Sequence, residues 1–490
     1  MNKDIKVLKP SEVWKHFHEI TQVPRPSKKE QKAVDFVYRF GKSLGLETIK
    51  DEVGNVIIRK PATPGKEATP GIILQTHLDM VPEKNSDKVH DFEKDPITAY
   101  IDGDWVTADG TTLGADNGIG VAATMAVLES KTLKHGLIEA LFTIDEETGM
   151  TGAQNLKPGI LKGSILINLD SEDEGELYVG CAGGMDATFK FKYLEQQAPA
   201  GAETYKISVT GINPDKIVVG MKGGHSGIDI NLGRGNANKV IFRILKHLQN
   251  DIYLSAIDGG SARNAIPRES FATVVVPADK INLLATTVSD IEKIVRAELQ
   301  YTEPDLKINL EKTEPAATII EKDVQLKLIN AVYACPNGVI RMSDTVPGLV
   351  ETSTNLAIVK SGNGEITVSC LIRSSLESAK EDLAQMEESV FSLAGAKCEF
   401  TGSYPGWNPN PDSLVLSKMK KIYKDLYGEE SEVKAIHAGL ECGLLGGIYS
   451  NLDMISCGPT IRHPHSPDEK VNIKSVEKWW NFLVSTLENI

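Results

Sequence analysis

The segment Leu141–Met150 reads LFTIDEETGM. Leu141–Ile144 is an apolar run of the kind that forms a buried strand, and it leads directly into three consecutive carboxylates, Asp145, Glu146 and Glu147. Like charges this close repel one another, so the arrangement is costly unless something positive sits among them. Two other apolar runs behave similarly. IILQTHLD (72–79) ends on His77 and Asp79, and SILINLD (164–170) ends on Asp170. A fourth segment, TTLGADNGIG (111–120), sets Asp116 just ahead of a helical stretch at Ile119–Leu128, where glycines allow close approach. In open α/β sheets ligands gather beyond the carboxyl ends of the strands. Buried strands alternating with helices, and ending on acids and a histidine, predict an α/β domain: a mixed sheet flanked by helices, with a metal site at its edge.

The chain around this sheet has 490 residues, more than one hydrophobic core usually organises. Its 41% hydrophobic and 24% charged residues are ordinary for a soluble globular protein. A formal charge of −14 argues against a nucleic-acid partner, which needs clustered Lys and Arg. No apolar run approaches the ~18 residues of a membrane span, and MNKDIKVLKPSEVWKHFHEI has no secretory apolar region. Cys181, Cys335, Cys370, Cys398, Cys442 and Cys457 are scattered without a CxxC pair, a pattern suited to reduced thiols rather than a disulfide framework. Cytoplasm is the expected location.

Helical spacing marks Ser11–Ile20 and Lys28–Leu44, the latter with Ser27 as N-cap and Glu30 completing a capping box. Further strands are expected at Val56–Ile58 and Ile72–Leu74, with a loop over Pro61–Gly71. Beyond about Gly184 the character changes to alternating strands (Tyr205–Val209, Ile217–Val219, Ile366–Ile372) and helices (Asn236–Leu248, Asn282–Leu299), an inserted α+β domain. Helix, strand and helix then return at Leu414–Tyr427, Met454–Ser456 and Lys474–Leu487. The expected division is an α/β domain over 1–186 and 401–490, with the inserted α+β domain over 187–400.

One or two imidazoles with carboxylates and no thiolate suit zinc, with manganese or cobalt as substitutes. Five or six ligands are too many for one tetrahedral ion, but suit two ions bridged by a carboxylate, about 3.5–4 Å apart. The chain should supply a second histidine, and GPTIRHPHSPDEKV (458–471) offers His463 and His465. The chemistry alone does not choose between them.

THLDM, GADNGIG, DEETG, INLD and the late HSPDE resemble the M20 zinc metallopeptidases in order and spacing. More narrowly, HFHEITQVPRPSKKE, VGCAGG, GGHSGIDI, GRGNAN, SARNAIPRE and HAGLECG are similar to the cytosolic aminoacyl-histidine (Xaa-His) dipeptidases, whose substrates include carnosine-type dipeptides. The similarity runs from about His16 to Val471 and departs at no metal position. It implies two zinc ions per subunit, His77 and Asp170 on one, Glu147 and His465 on the other, and Asp116 bridging. It selects His465 over His463. It also implies that Asp79 accepts a hydrogen bond from the His77 ring and fixes its orientation, and that Glu146 is the general base toward a metal-bridging hydroxide. The domain over 1–186 and 401–490 would then be the catalytic domain, and the insertion over 187–400 a lid domain that carries a homodimer contact. His225, in MKGGHSG, resembles the lid histidine that donates to the attacked carbonyl oxygen.

A dipeptidase must also hold a free C-terminal carboxylate. Arg373 is the main candidate, because guanidinium binds carboxylate bidentately. Asn264, in ARNAIP, resembles a lid residue of the family that helps hold the substrate, and Gly439, in HAGLECG, offers backbone contacts. His437, Glu441 and Cys442 in HAGLECG receive no role, and His16, His18, His90, His135 and His247 read as structural or surface residues. The alternative enzyme is a metal-dependent deacylase of N-acyl amino acids, built on the same ligands. A non-catalytic relative is disfavoured by the intact ligand and base set.

Overall fold

The computed structural model describes residues 4–212 and 218–490. It divides into two compact units. One comprises Met1–Gly180, Pro409–Ala435 and Leu440–Ile490; the other comprises Cys181–Asn408 and Ile436–Gly439.

The first unit is built on an eight-stranded mixed sheet in the order Glu47–Lys50, Val56–Lys60, Ile138–Thr143, Ile72–His77, Ile165–Asn168, Asp453–Ser456, Glu176–Cys181, Glu432–Ile436. Its central strands run parallel: Ile72–His77 pairs with Ile138–Thr143 on one side and Ile165–Asn168 on the other, and Asp453–Ser456 follows in parallel. All residues of Ile72–His77, Ile138–Thr143 and Ile165–Asn168 are buried, as strands covered on both faces must be. Helices Ser11–Thr21, Ala115–Glu129 and Ile473–Asn489 supply Val13, Phe17, Ile119, Val121, Trp479 and Leu483 to the same apolar core. The apolar residues of Ala115–Glu129 are buried all round, whereas Ser11–Thr21 buries one face. A four-stranded sheet pairs Ile461–Arg462 with Lys470–Asn472 and adds Trp105–Ala108 and Ala99–Asp102. The segment carrying His465 is the loop between its first two strands.

One local expectation fails. The helix expected from Lys28 starts at Gln31, and its N-cap, Glu30, makes no side-chain capping bond. Lys28 has a left-handed backbone (φ 67), which breaks the helix before it can reach Ser27. The Ser27 hydroxyl donates instead to the Met80 carbonyl at 3.3 Å. By contrast, Asn236 and Ser413 cap their helices by accepting from Lys239 N and Leu416 N.

The second unit carries a ten-stranded sheet whose long strands, Gly183–Lys192, Glu203–Ile212, Val350–Gly362 and Glu365–Ser374, are antiparallel to their neighbours. Helices Ala237–Leu248, Ile281–Glu298, Lys322–Ala334 and Glu377–Leu393 bury Ile241, Phe242, Leu284, Leu328 and Phe391 into one core with Phe189, Val274 and Val368 of the strands. Of the strand expected at Ile217–Val219, Val218–Val219 is a strand and Ile217 lies outside the described residues. Among the described residues, no helix is long and apolar enough to cross a membrane.

Candidate active site

The strand ends of the first unit bring the expected metal-competent groups together. The His77 Nε2 atom lies 3.1 Å from Asp116 Oδ1 and 3.3 Å from Asp170 Oδ1. The His465 Nε2 atom lies 3.2 Å from Asp116 Oδ2 and 2.9 Å from Glu147 Oε2. Asp116 therefore turns one oxygen to His77 and the other to His465. Donor atoms of His77, Asp116 and Asp170 lie within 4.8 Å of one another, as do those of Asp116, Glu147 and His465, and of His77, Glu146 and Glu147. His463 stands in none of these groups.

Each side chain is held by local structure. Asp116 and Asn117 have non-helical backbone angles at the head of Ala115–Glu129. A side chain at Gly120 would meet the Asn117 amide oxygen at 2.5 Å and the Leu169 carbonyl at 2.7 Å, so only glycine allows this approach. Glu146 and Glu147 open a one-turn helix whose amides both donate to Asp79, to Oδ1 at 3.0 Å and Oδ2 at 3.2 Å. Asp79 Oδ1 is also 3.4 Å from His77 Nδ1, close enough for charge pairing but without hydrogen-bond alignment. Asp145, left-handed at φ 51, braces the turn by accepting from the hydroxyls of Thr148 and Thr151.

The electrostatics favour positive charge. Burial, together with the Asp116 and Glu147 carboxylates, pushes Asp170 up to about 7 against the pull of His77. Burial and the Asp170, Glu441 and Glu147 carboxylates hold Glu146 well above the usual range, opposed by His77. Hydrogen bonds to Asp116 and Glu147 push His465 up to about 11. Despite its burial, Asp116 is held far below the carboxylate range by His465 and His77.

The second unit gathers a different set. Arg373 is only 5% exposed, yet its Nη1 has a tyrosine hydroxyl (Tyr404 Oη, 3.3 Å) as partner and its Nε has none. Gly439 packs against the same ring, where an added Cβ would stand 3.1 Å from Tyr404 Cε2. His437 donates or accepts at Ser353 Oγ (2.7 Å), and Ser353 is the cross-strand partner of Arg373. Burial and the Arg373 charge push His437 down to about 3, so it is neutral. The His225 Nδ1 atom accepts from Gly227 N at 3.2 Å and Ile228 N at 3.1 Å, which leaves its proton on Nε2. Burial and Arg373 also lower its pKa. Asn264 is exposed, and its carbonyl accepts from Ser226 N at 2.8 Å beside the short pairing of His225 with Ala265.

Residues 73–489 match the peptidase family M20/M25/M40. The chain is 45% identical over 492 residues to the cytosol non-specific dipeptidase of Escherichia coli, covering 99% of each protein. The chain belongs to the M20 peptidase family. It is thereby a hydrolase of peptide bonds. The crystal structure of an aminoacylhistidine dipeptidase from Vibrio alginolyticus superposes with a TM-score of 0.93 at 48% identity, over 100% of this chain and 98% of that one. The aminopeptidase PepT of Bacillus cereus shares the fold, at a TM-score of 0.57 and 15% identity over 98% and 99% of the two chains.

M20 peptidases are metal-dependent, and the donors present here suit divalent ions. Glu147 Oε1 and Asp170 Oδ1 are buried without a hydrogen-bond partner, and the acids crowd around two imidazoles with no thiolate. Three buried residues beside this site, Glu469, Arg25 and Glu441, lie inside the motifs HSPDE, HFHEITQVPRPSKKE and HAGLECG, yet the sequence reading assigned none of them a role. Glu469 accepts from Gly114 N at 2.8 Å and Asp116 N at 3.1 Å, fixing the backbone that carries Asp116. Arg25 donates to the Leu78 and Asp79 carbonyls at 3.0 and 2.8 Å and to Gly114 O at 2.5 Å, tying His77's strand end to the Asp116 turn. Glu441 is fully buried and accepts from Gln75 and Thr143. Each lies far along the chain from its partners, so only the fold joins them.

Proposed function

We propose that this M20 peptidase is a dinuclear-metal dipeptidase that hydrolyses Xaa-His dipeptides, β-alanyl-histidine among them. The observation that carries the reading is the two-sided engagement of Asp116, one oxygen toward His77 and the other toward His465, and its place in both the His77–Asp170 and the Glu147–His465 groups. His77 and Asp170 would hold one ion, Glu147 and His465 the other, and Asp116 both. Zinc suits the donors, with manganese or cobalt as substitutes. When bound, such a pair supplies Lewis acidity, lowering the pKa of water toward ~7 and polarising the scissile carbonyl.

The chain's own residues divide the remaining work. Glu146, aimed by the Asp79 grip on its amide, takes the proton of the attacking water and returns it to the leaving amine. His225, with its proton on Nε2, donates to the oxygen on which negative charge develops. Arg373, buried without a counter-anion among the described residues, takes the substrate's C-terminal carboxylate, and Asn264 and the Gly439 backbone help hold the substrate. The similarity to a cytosol dipeptidase and to an aminoacylhistidine dipeptidase supports the substrate class and a cytoplasmic location. In this reading the second unit is a lid and carries the contact of a homodimer.

Hydrolysis of β-alanyl-histidine and Ala-His should be compared with that of N-acetyl amino acids on the zinc-loaded protein. Faster turnover of the dipeptides is expected. Preference for the acetylated substrates would replace this reading with that of a deacylase.

A further inference from the structure

Beneath the metal-competent strand ends runs a continuous buried row of polar side chains. The Glu441 carboxylate accepts through Oε2 from Gln75 Nε2 at 2.5 Å and from Thr143 Oγ1 at 2.7 Å. Gln75 Oε1 accepts from Asn168 Nδ2 at 2.5 Å. Asn168 Oδ1 then accepts from the Ser456 hydroxyl, which meets Ser171 Oγ at 2.6 Å. Glu441, Thr143, Gln75, Asn168 and Ser456 are all completely buried.

The row follows the sheet's register. Gln75, Asn168 and Ser456 are aligned across three parallel strands, and Thr143 is level with His77. Side chains repeat on one face every second residue, so Gln75 lies directly under His77, and Asn168 stands in the same relation to Asp170. In an apolar sheet core each of these amides and hydroxyls would be costly unless satisfied, and here they satisfy one another in a chain that fixes the height of four neighbouring strands. Glu441 closes that chain from the first turn of Glu441–Ile448 and is its one ionisable member, with Oε1 buried and unpartnered.

We infer that Glu441 is a positioning residue for the metal site. It anchors the Gln75–Asn168–Ser456 row and so sets the spacing of His77 and Asp170. Burial pushes the Glu441 carboxyl up to about 8, against the Thr143 hydrogen bond, so a neutral amide is a close mimic of its charge state near neutrality. The inference rests on His77 and Asp170 being ligands, as proposed above.

The test uses the full chain and cobalt(II), whose visible absorption reports ligand geometry independently of turnover. In Glu441→Ala, cobalt affinity should fall about 10–100-fold, the range for losing a partner behind a ligand, and the spectrum should change. Glu441→Gln, which preserves both acceptor contacts, should keep affinity within about 3-fold, with the wild-type spectrum. Wild-type affinity and spectrum in Glu441→Ala would overturn the inference. So would equal losses in the Ala and Gln variants, because Glu441 would then act by its charge. Should Glu441→Ala not fold, Thr143→Val removes one donor almost isosterically and should still alter the spectrum; an unaltered one overturns the inference. If the wild-type chain binds cobalt but cleaves no dipeptide, the substrate reading fails while the positioning role is still decided by these spectra.

Discussion

Glu146 and Glu147 are chemically identical neighbours in different situations. Glu147 pairs with His465 at 2.9 Å, whereas Glu146 stands half-buried among carboxylates that push its own charge away. Their assignment as base and ligand separates experimentally. Glu146→Gln should keep full metal content by elemental analysis and lose about 10²–10⁴-fold in kcat, the typical contribution of a general base. Substantial metal loss in that variant would mean the two roles are exchanged. Among the described residues, Asp116 is the one carboxylate within 4 Å of both His77 and His465. Asp116→Ala should release both ions together, and a variant that still binds two per chain would contradict the shared position. These residues were legible in the sequence because each ends a strand or heads a helix. Their division of labour came only through the resemblance, since adjacency in the chain says nothing about which oxygen faces which imidazole.

Elements show where local pattern suffices and where packing overrules it. Leu414–Tyr427 forms over the span its periodicity predicts, and Asn236 caps the helix after it because a short side-chain acceptor at that position has a free amide to satisfy. Ser27 fails as a cap because the chain turns left-handed at Lys28. Within Glu377–Leu393, Glu387 and Glu388 read alike in sequence, yet Glu387 is completely buried, with Thr354 Oγ1 donating to it at 2.6 Å. Burial pushes Glu387 up to about 7. Between the unfolded carboxyl's value, near 4.5, and that point, the folded state keeps a proton that the unfolded state has lost. Stability therefore falls as pH rises through this window, and the loss is complete above it. Glu387→Gln keeps the Thr354 contact and removes the titration. It should stabilise the protein at pH 8 by something on the order of 2 kcal/mol, and by little at pH 4.5, in denaturant titrations at the two pH values. An equal effect at both would show that the carboxyl is not proton-linked to folding.

At the scale of the molecule, the first unit concentrates Asp116, Glu147 and Asp170, with Glu146 beside them, on one edge of its sheet. Divalent ions that bind the folded site but not the unfolded chain stabilise by mass action, about 2.7 kcal/mol at a hundredfold excess over Kd. Dialysis against a chelator should therefore lower the thermal midpoint by several degrees, with recovery on adding zinc or cobalt, as calorimetry would show. A midpoint indifferent to metal would argue against a preformed site. Asp116→Ala should abolish most of the metal-dependent shift.

The sequence by itself determined which chemical groups terminate the buried strands, that the chain folds as an α/β sheet with an α+β insertion, and that it is an M20 peptidase. Those features follow from short-range periodicity and from contiguous motifs, which a linear reading contains. Only the tertiary structure placed one Asp116 oxygen by each histidine, put the His225 proton on Nε2, buried Arg373 without a counter-anion among the described residues, and joined Arg25, Glu441 and Glu469 by hydrogen bonds to the segments around the strand ends. Glu441 meets Gln75 across 366 positions of chain, and Glu469 meets Asp116 across 353. Contacts of that separation exist only once the sheet has fixed the register of its strands, because hydrogen bonds depend on distance and direction in space rather than on order along the chain.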